Sequence, residues 1–254
     1  SDADSTTIRK LAIWGFGSTA DGDIQLGGDA GDTTHTGFLL EDAVIGATPV
    51  GGDPGTEASH IGIYADDWAD GIVRRSFVAH TSFAGARFWI GLPNWTIEDS
   101  HFESNGTSGG VEINNTGSYT ITRNRFIGNG DAGLSTIDPP TTVIVTDNTF
   151  DGNTGEGAAI GDVENSTVAR NLFQNNTTVG LWIGAANSSA SDNTMRLNGA
   201  DGVFVEAHPD HMGVLVPVPA LVEGSAGRGK VVRRRHARRD DPATDVEDQA
   251  SRVL

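Results

Sequence analysis

The chain has 254 residues, no cysteine and a formal net charge of −17, with 34 acidic against 17 basic residues. The lack of cysteine excludes disulfide bonds and thiolate metal sites, and no stretch is long and apolar enough to predict a membrane-spanning helix. The acidic excess argues against nucleic acid as a partner for the body of the protein.

An apolar pair with members five residues apart recurs along the chain, and each pair predicts one structural unit. The pairs are, in chain order, Ile8/Ile13, Leu40/Ile45, Ile72/Phe77, Ile97/Phe102, Ile121/Phe126, Val145/Phe150, Val168/Phe173 and Ala190/Met195. The distance between successive pairs falls from 32 to 22 residues along the chain. Periods of this length are typical of stacked repeats.

From the third unit onward, each repeat also contains a short run that begins with glycine and alternates as a β-strand does. The runs are GIYA (62–65), GARF (85–88), GVEI (110–113), GLST (133–136), GAAI (157–160), GLWI (180–183) and GVFV (202–205). A repeat of about two dozen residues leaves no room for helical crossovers between parallel strands. One coil of a parallel β-helix fits, because each coil pairs with the next.

Asparagine recurs at two places in the repeat. The first Asn column is Asn124, Asn148, Asn171 and Asn193, and the second is Asn105, Asn129, Asn153, Asn176 and Asn198. We predict that both columns lie at corners, where asparagine tolerates a left-handed backbone and its amide can bond the same amide one coil away. The second column is expected to do so more loosely. We therefore assign these residues to structure and not to catalysis.

The position before the first Asn column carries a charge in every unit. It reads Lys10, Asp42, Arg74, Asp99, Arg123, Asp147, Arg170 and Asp192, so the sign alternates throughout. Successive coils lie about 4.8 Å apart, and each charge would therefore have an opposite charge above and below it. We call this predicted column the charge ladder. Exposed pairs contribute only about 0.2 to 1 kcal/mol each, so the ladder is expected to set register more than stability.

The pattern T-I-T-R-N-R-F followed by N-G-x-x-G-L, at residues 120–134, resembles the repeat of right-handed parallel β-helix proteins of the pectin-lyase superfamily. The resemblance extends from Thr7 to Glu206. It implies an all-β, right-handed, single-stranded parallel β-helix, here with about eight to nine coils of 22–32 residues. It also implies that the Gly-led strands form the sheet along which family enzymes bind polysaccharide. The superfamily contains lyases, hydrolases, epimerases, adhesins and non-catalytic proteins, so the resemblance leaves the activity open.

The domain organisation expected from this pattern is one solenoid followed by a tail. Residues 1–212 form the β-helix, with long loops at 14–36 and 46–60. Residues 213–254 lose the repeat and contain the basic run VVRRRHARRDD, and we expect most of this segment to be poorly ordered.

The outward places of the Gly-led strands are the first positions to search for chemistry. They are Tyr64, Arg87, Glu112, Ser135, Ala159, Trp182 and Phe204. Family lyases place calcium-binding Asp residues and an Arg base along this sheet, and family hydrolases place several Asp residues there; no such carboxylate cluster occurs here. Glu112 beside Arg87 is either a general base with a cationic partner or a cross-coil salt bridge.

Acidic loops supply the remaining catalytic and metal candidates. Asp66 and Asp67 lie near His60 in sequence and are either acid-base or calcium-binding groups or solvated acids. The stretch DGDIQLGGDAGD concentrates aspartate and glycine as calcium loops do, although it matches neither the EF-hand nor the Gly-Gly-x-Gly-x-Asp spacing. Its carboxylates are Asp21, Asp23, Asp29 and Asp32. Calcium is the only cofactor that the sequence suggests.

The expected function of the monomer is to bind polysaccharide or surface glycan along the first parallel sheet, the one formed by the Gly-led strands, and processing of that polysaccharide stays open. The candidate carbohydrate-binding residues are Tyr64, Arg87, Glu112, Trp182 and Phe204. Trp182 and Phe204 occupy adjacent coils and form either a platform for sugar rings or a patch covered by the segment 213–222. The alternative function is a non-catalytic structural or adhesin-like surface repeat protein. Whether the chain is an enzyme stays open.

The N-glycosylation sequons, most of which are coincidences of the Asn- and Thr-rich corners, favour an extracellular or cell-surface location together with the family resemblance. They occur at Asn94, Asn105, Asn114, Asn165, Asn175, Asn176 and Asn187. The acidic excess, with only two lysines, resembles the composition of proteins from extreme halophiles. At molar salt the Debye length is about 3 Å, so the self-repulsion of such a surface is largely screened.

Overall fold

The computed structural model describes residues 5–16, 22–27, 35–55, 58–66, 68–89, 94–138, 140–161, 163–184 and 187–207, together with two later strands at 221–223 and 231–235. Across these ranges the chain forms β-strands joined by turns, and no α-helix occurs among them. The class predicted from the repeat, an all-β parallel solenoid, is confirmed.

The strands stack into three long parallel sheets and one short one. Sheet A contains β1 (Thr6–Arg9), β5 (Phe38–Glu41), β9 (Ile72–Arg74), β12 (Asn94–Glu98), β15 (Ser118–Thr122), β18 (Thr142–Thr146), β21 (Asn165–Ala169) and β24 (Asn187–Ser191). Sheet B contains β2 (Ala12–Ile13), β6 (Val44–Ile45), β10 (Phe77–Ala79), β13 (His101–Glu103), β16 (Arg125–Ile127), β19 (Thr149–Asp151), β22 (Leu172–Gln174), β25 (Thr194–Arg196) and β27 (Leu221–Glu223). Sheet C contains β3 (Gly22–Leu26), β7 (Ile61–Ala65), β11 (Ala84–Phe88), β14 (Gly109–Asn114), β17 (Leu134–Asp138), β20 (Ala158–Gly161), β23 (Leu181–Gly184), β26 (Val203–Ala207) and β28 (Val231–Arg235). The short sheet pairs β4 (His35–Thr36) with β8 (Trp68–Ala69).

Each regular coil visits sheets A, B and C in that order. Six such coils follow one another from β9 to β26 within the described chain, which is slightly fewer than the eight to nine predicted. The difference arises at the N-terminal end, where two coils are lengthened by insertions. The range 14–36, predicted as a loop, contains β3, which is the first strand of sheet C.

The Phe column lies at the centre of the core. The rings of Phe102, Phe126, Phe150 and Phe173 are all fully buried, and successive centroids lie 5.4, 4.7 and 4.8 Å apart. Met195 continues the column in the next coil. The separations match the strand spacing of a β-sheet, so each ring stacks on its equivalent one coil away, as the repeat predicts.

A second aromatic cluster fills the core beneath sheet A and was not predicted. Trp95 and Tyr119 are inward partners in β12 and β15, and Phe88 contacts both rings at centroid distances of 4.7 and 5.8 Å. Trp95 also occupies the space above Gly71, where an added Cβ would lie 2.3 Å from the indole ring. Glycine is therefore required at position 71 by the tryptophan one coil later.

Both Asn columns form continuous hydrogen-bonded ladders. In the first, Asn124 donates its backbone N–H to Asn148 Oδ1 (2.8 Å) and its Nδ2 to the same oxygen (3.2 Å) and to Ile97 O (2.7 Å). In the second, Asn129 donates to Asn153 Oδ1 in the same way, at 3.1 and 2.9 Å. The ladder prediction is confirmed, but the second column is as regular as the first and not looser.

The left-handed residue lies one position earlier than predicted. The asparagines themselves do not have positive φ; the residue before each does, as at Arg123 (φ 56°), Asp147 (φ 61°) and Asp192 (φ 56°). This conformation is unfavourable for a residue with a Cβ. It turns the following asparagine inward, where its amide gains a full set of buried hydrogen bonds that offset the backbone strain.

The charge ladder is present, with one register correction. In β9, Arg74 pairs with Glu41 and Glu98, so the residue between Asp42 and Asp99 is Arg75 and not Arg74. The apolar pair of this coil is correspondingly Val73/Val78, which are fully buried, in place of Ile72/Phe77. The alternation of sign survives because arginine occupies both positions.

Each arginine of the charge ladder binds the aspartate of the preceding coil. The Nε atoms of Arg75, Arg123 and Arg170 lie 2.9, 2.8 and 2.8 Å from carboxylate oxygens of Asp42, Asp99 and Asp147, respectively. These hydrogen bonds hold the pKa of each aspartate below its usual range. All six side chains are substantially exposed to solvent, so each pair contributes little free energy by itself.

Replacing Arg123 with aspartate is expected to make the stability of the protein strongly dependent on salt. The new acid would stand between Asp99 and Asp147, which creates three acids at about 4.8 Å intervals. We expect the melting temperature to fall by several degrees at low salt and to recover in molar salt, where exposed charges are screened. Arg125→Asp, the same charge reversal on sheet B, is the matched control. An equal loss at both salt concentrations would contradict an exposed ladder.

Two strands from the C-terminal part of the chain add to the sheets. β27 pairs with β25 so that Leu221 aligns with Thr194, and β28 pairs with β26 so that Val231 aligns with Val203. The basic run of the sequence therefore begins in a strand of sheet C. The boundary predicted at residue 212 lies outside the described residues.

Candidate functional site

The outward residues of sheet C form one continuous column. The pairing register joins Tyr64, Arg87, Glu112, Ser135, Ala159, Trp182 and Phe204 as successive Cα partners, as predicted from the Gly-led runs. Gln25 of β3 extends the column by one coil at its N-terminal end. Because side chains alternate across a strand, the intervening residues, such as Ile63 and Val111, point into the core and are fully buried.

Glu112 occupies an outward place but is closed off from solvent, with 1% of its side chain exposed. Its Oε1 accepts a hydrogen bond from Arg87 Nε at 3.1 Å, and its Oε2 accepts one from the Ser108 hydroxyl. Both carboxylate oxygens are therefore occupied by the protein itself. The geometry is that of a cross-coil salt bridge, in which neither oxygen points toward an open surface.

Arg87 is held on a pair of aromatic rings. Its guanidinium carbon lies 3.8 Å from the centroid of the Trp89 ring and 5.2 Å from that of Phe83. A cation over an aromatic face is stabilised by about 0.5 to 2 kcal/mol, depending on its exposure to water. Trp89 was not predicted from the sequence, although its position two residues after Arg87 places it on the same side if the strand alternation continues. Phe83 and Ser108 lie in turns, where no periodic signal could identify them.

His60 joins this cluster through Phe83. Its ring stacks on Phe83 with a centroid distance of 5.1 Å, and its Nδ1 lies 3.2 Å from Ser82 Oγ. Asp66, in contrast, follows β7 while His60 precedes it, so the strand separates them by roughly 20 Å. The structure therefore brings His60 toward Arg87 and not toward Asp66. Asp67 lies outside the described residues.

Of the four carboxylates in the predicted calcium loop, the structure describes only Asp23. Asp23 accepts hydrogen bonds from Phe16 N at 3.1 Å and from Ser59 Oγ at 2.5 Å, and burial raises its pKa. These contacts tie the first coil to the turn before β7. Asp21, Asp29 and Asp32 lie outside the described residues, and the described part of the chain contains no group of three or more potential metal-ligating His, Asp or Glu side chains.

The six-membered ring of the Trp182 indole lies close over two glycines at the C-terminal ends of the sheet C strands. A Cβ added at Gly161 would stand 2.5 Å from Trp182 Cζ3, and one at Gly184 would stand 3.0 Å from its Cη2. Gly161 is itself fixed by Thr136, whose Oγ1 accepts from Gly161 N at 2.8 Å and donates to Gly161 O at 2.9 Å. The indole remains partly exposed. Although Trp182 and Phe204 are strand partners, the rings do not stack on each other.

The fold is also recognised at the level of the sequence family. A family model described as a right handed beta helix region matches residues 56–200, more than half of the chain. The chain belongs to the right-handed β-helix family. No curated protein and no solved structure matches it.

Membership in the right-handed β-helix family accounts for the stacking of the outward residues into a column. It does not identify the chemistry of that column, because one fold hosts many functions. The column in this β-helix has a polar end, formed by Arg87 and Glu112, and an aromatic end, formed by Trp182 and Phe204. Only the small residues Ser135 and Ala159 lie between the two ends. Among the described residues, no helix has the length and apolarity needed to cross a membrane.

Proposed function

We propose that this right-handed β-helix is an exported or cell-surface protein that binds polysaccharide along the outer face of sheet C. The observation that carries the proposal is the half-buried Trp182 side chain, whose six-membered ring lies close over Gly161 and Gly184. A flat indole of this kind is suited to pack against the apolar C–H face of a sugar ring. The polar edge of the indole remains available for a hydrogen bond.

The neighbouring coils extend this surface. Ser135 and Ala159 add little height above sheet C, so a chain of sugar units that rests on Trp182 could continue across them toward Arg87. The distance from Trp182 to Glu112 spans three coil steps, which is about 14 Å. A linear polysaccharide fits such a strip better than a compact ligand does.

The Arg87–Glu112 pair supports binding more than cleavage. A general base must reach the proton that it removes, whereas the Glu112 carboxylate is enclosed by Arg87 and Ser108. We therefore propose that Arg87 and Glu112 form the polar end of the outward column of sheet C and take no part in cleavage. Under this proposal the chain binds polysaccharide without cutting it through these two residues.

The acidic surface fits an environment of high salt. A net charge of −17 would repel acidic ligands and the protein itself at low ionic strength. At molar salt the Debye length of about 3 Å largely removes this repulsion. We propose that the protein works outside the cell under such conditions.

Replacing Trp182 with alanine is expected to weaken glycan binding at least about tenfold, which corresponds to about 1.4 kcal/mol. The reason is that the substitution removes the flat surface but leaves the inward core of sheet C intact. A glycan array in molar salt would identify a ligand for the wild type, and titration calorimetry would compare the variants. Ile144→Ala, which removes exposed apolar surface from sheet A, is the matched control and should bind normally. Equal binding by Trp182→Ala would contradict the assignment.

A non-catalytic structural or adhesin-like surface module is the second candidate. It is favoured by the way in which Arg87, Glu112 and the charge ladder are all used to join one coil to the next. Under this alternative, the wild-type protein would bind neither acidic nor neutral glycans at any salt concentration.

A further inference from the structure

The seven sequons of the chain differ sharply in accessibility. Asn105, Asn114 and Asn176 are buried, with 1%, 8% and 1% of their surface exposed. The other four, Asn94, Asn165, Asn175 and Asn187, are exposed. Burial alone therefore divides the seven sequon asparagines into a buried class and an exposed class, and only the exposed class is accessible to modification in the folded protein.

The buried class includes members of the second Asn column. Asn105 donates its Nδ2 to Val78 O at 3.1 Å and to Asn129 Oδ1 at 3.0 Å. Asn176 donates its Nδ2 to Phe150 O at 3.2 Å and to Asn198 Oδ1 at 3.0 Å. Both amide hydrogens of each residue are used, and a saccharide on either nitrogen would separate neighbouring coils. The folded protein cannot carry a glycan at these positions.

Three of the exposed sequons lie in a single column at the N-terminal ends of the sheet A strands. Asn94, Asn165 and Asn187 are the first residues of β12, β21 and β24, and the register joins them through Ser118 and Thr142. In an extended strand, residues two positions apart lie on the same side of the sheet. Each asparagine therefore shares the outer face with the hydroxyl residue of its own sequon, which is Thr96, Thr167 or Ser189.

The fourth exposed sequon has a different local structure. Asn175 has a left-handed backbone (φ 55°). Its Nδ2 donates to Asp151 Oδ1 at 2.8 Å, a contact that has counterparts at Asn94 and Asn165, whose Nδ2 atoms donate to Asp70 Oδ1 and Thr141 O. Asn175 lies in the corner after β22 and not in a strand. It therefore lacks the extended arrangement that the other three share.

We propose that Asn94, Asn165 and Asn187 are N-glycosylation sites that form a row along the N-terminal ends of the sheet A strands. The inference rests on the export included in the proposed function. Asn187 follows the sheet C residue Gly184 by three positions. The row therefore borders the end of sheet C on which Trp182 lies, while the outward column of sheet C itself stays free of attached glycan.

The modification is a group transfer from a polyprenyl-phosphate- or polyprenyl-diphosphate-linked oligosaccharide. A bond forms between asparagine Nδ2 and C1 of the first sugar, and the bond between C1 and the phosphate oxygen breaks. The polyprenyl phosphate or diphosphate leaves with that oxygen, and the amide nitrogen releases one proton to the solvent. No group is oxidised or reduced.

The two neighbouring sites are expected to compete. Asn165 and Asn187 are direct partners in β21 and β24, so their Cα atoms are about 4.8 Å apart. Two oligosaccharides attached at this spacing would collide near their first sugars. A single molecule should therefore carry a glycan at one of these positions and not at both.

The test is glycopeptide mass spectrometry of the full chain, secreted by a host whose export machinery glycosylates a reporter sequon appended to the same chain. We expect glycan on Asn94 and on either Asn165 or Asn187, and none on Asn105, Asn114 or Asn176. Asn165→Gln should raise the occupancy of Asn187 at least twofold without a change in melting temperature.

Asn175→Gln is the matched control and should leave the occupancy of Asn187 unchanged. Unmodified Asn94, Asn165 and Asn187 beside a glycosylated reporter would overturn the inference, as would glycan on Asn105 or Asn176 in the folded protein. Neither result would affect glycan binding through Trp182, so the two proposals can fail independently.

Discussion

Replacing Phe150 with alanine is expected to lower the free energy of unfolding by about 3 to 5 kcal/mol, the usual cost of removing a large aromatic side chain from a packed core. The ring is fully buried and stacks on Phe126 and Phe173 at centroid distances of 4.7 and 4.8 Å. In a solenoid each coil contacts only its neighbours. The loss therefore falls on both interfaces of one coil in the middle of the stack.

Urea unfolding followed by circular dichroism would measure this loss, with Phe204→Ala as the matched control. Phe204 points outward from sheet C and is partly exposed, so its replacement should cost far less. An equal loss for the two variants, measured in a chain that lacks residues 213–254, would contradict the inward and outward assignment of the sheet C strands.

Replacing Asn153 with aspartate is expected to cost about 3 kcal/mol or more at neutral pH, although the two side chains have nearly the same shape. Asn153 is fully buried and donates its Nδ2 to Phe126 O at 3.2 Å and to Asn176 Oδ1 at 2.9 Å. A carboxylate has no hydrogen to donate and would place a buried negative charge against both oxygens. The second Asn column would be interrupted at its centre.

The effect of Asn153→Asp should depend on pH in a defined direction. Burial and the two facing oxygens would raise the pKa of the new carboxyl group above its unfolded value. The variant should therefore be least destabilised below the unfolded pKa, where the group is neutral in both states, and the loss should grow as the pH rises through the folded pKa. Differences in unfolding free energy between variant and wild type at each pH would measure this trend. Asn187→Asp, at an exposed position, should show no comparable loss.

Much of the fold could be predicted from the sequence because the contacts of a stacked repeat join equivalent residues. Phe126 contacts Phe150, and Asn129 bonds Asn153, each one period along the chain. The spacing of like residues therefore reports the contact directly. The outward column of sheet C followed from the same periodicity.

The register of the third coil shows where this kind of prediction fails. Ile72 and Val73 are adjacent apolar residues, and Arg74 and Arg75 are adjacent bases, so two registers fit the local pattern equally well. Only the pairing of Val73 with Leu40 and Ile97 selects the correct one. A one-residue slip exchanges the inward and outward faces of a strand, and the sequence of that coil could not detect it.

The candidate site was predictable in outline and not in detail. The periodicity placed Arg87 beside Glu112 and Trp182 beside Phe204. It did not predict that Ser108 and Arg87 enclose the Glu112 carboxylate. Nor did it predict that the Trp182 ring lies over Gly161 and Gly184 and does not stack on Phe204.

The amino-acid pattern was thus sufficient for the coil, the ladders, the Phe column and the faces of most strands, because each of these depends on interactions between equivalent residues at a fixed period. The tertiary structure alone decided which outward side chains are enclosed. The physical reason is that the groups that cover them, such as Phe83 and Ser108, come from turns of unequal length. Turns do not follow the period, so their contacts leave no regular signal in the sequence.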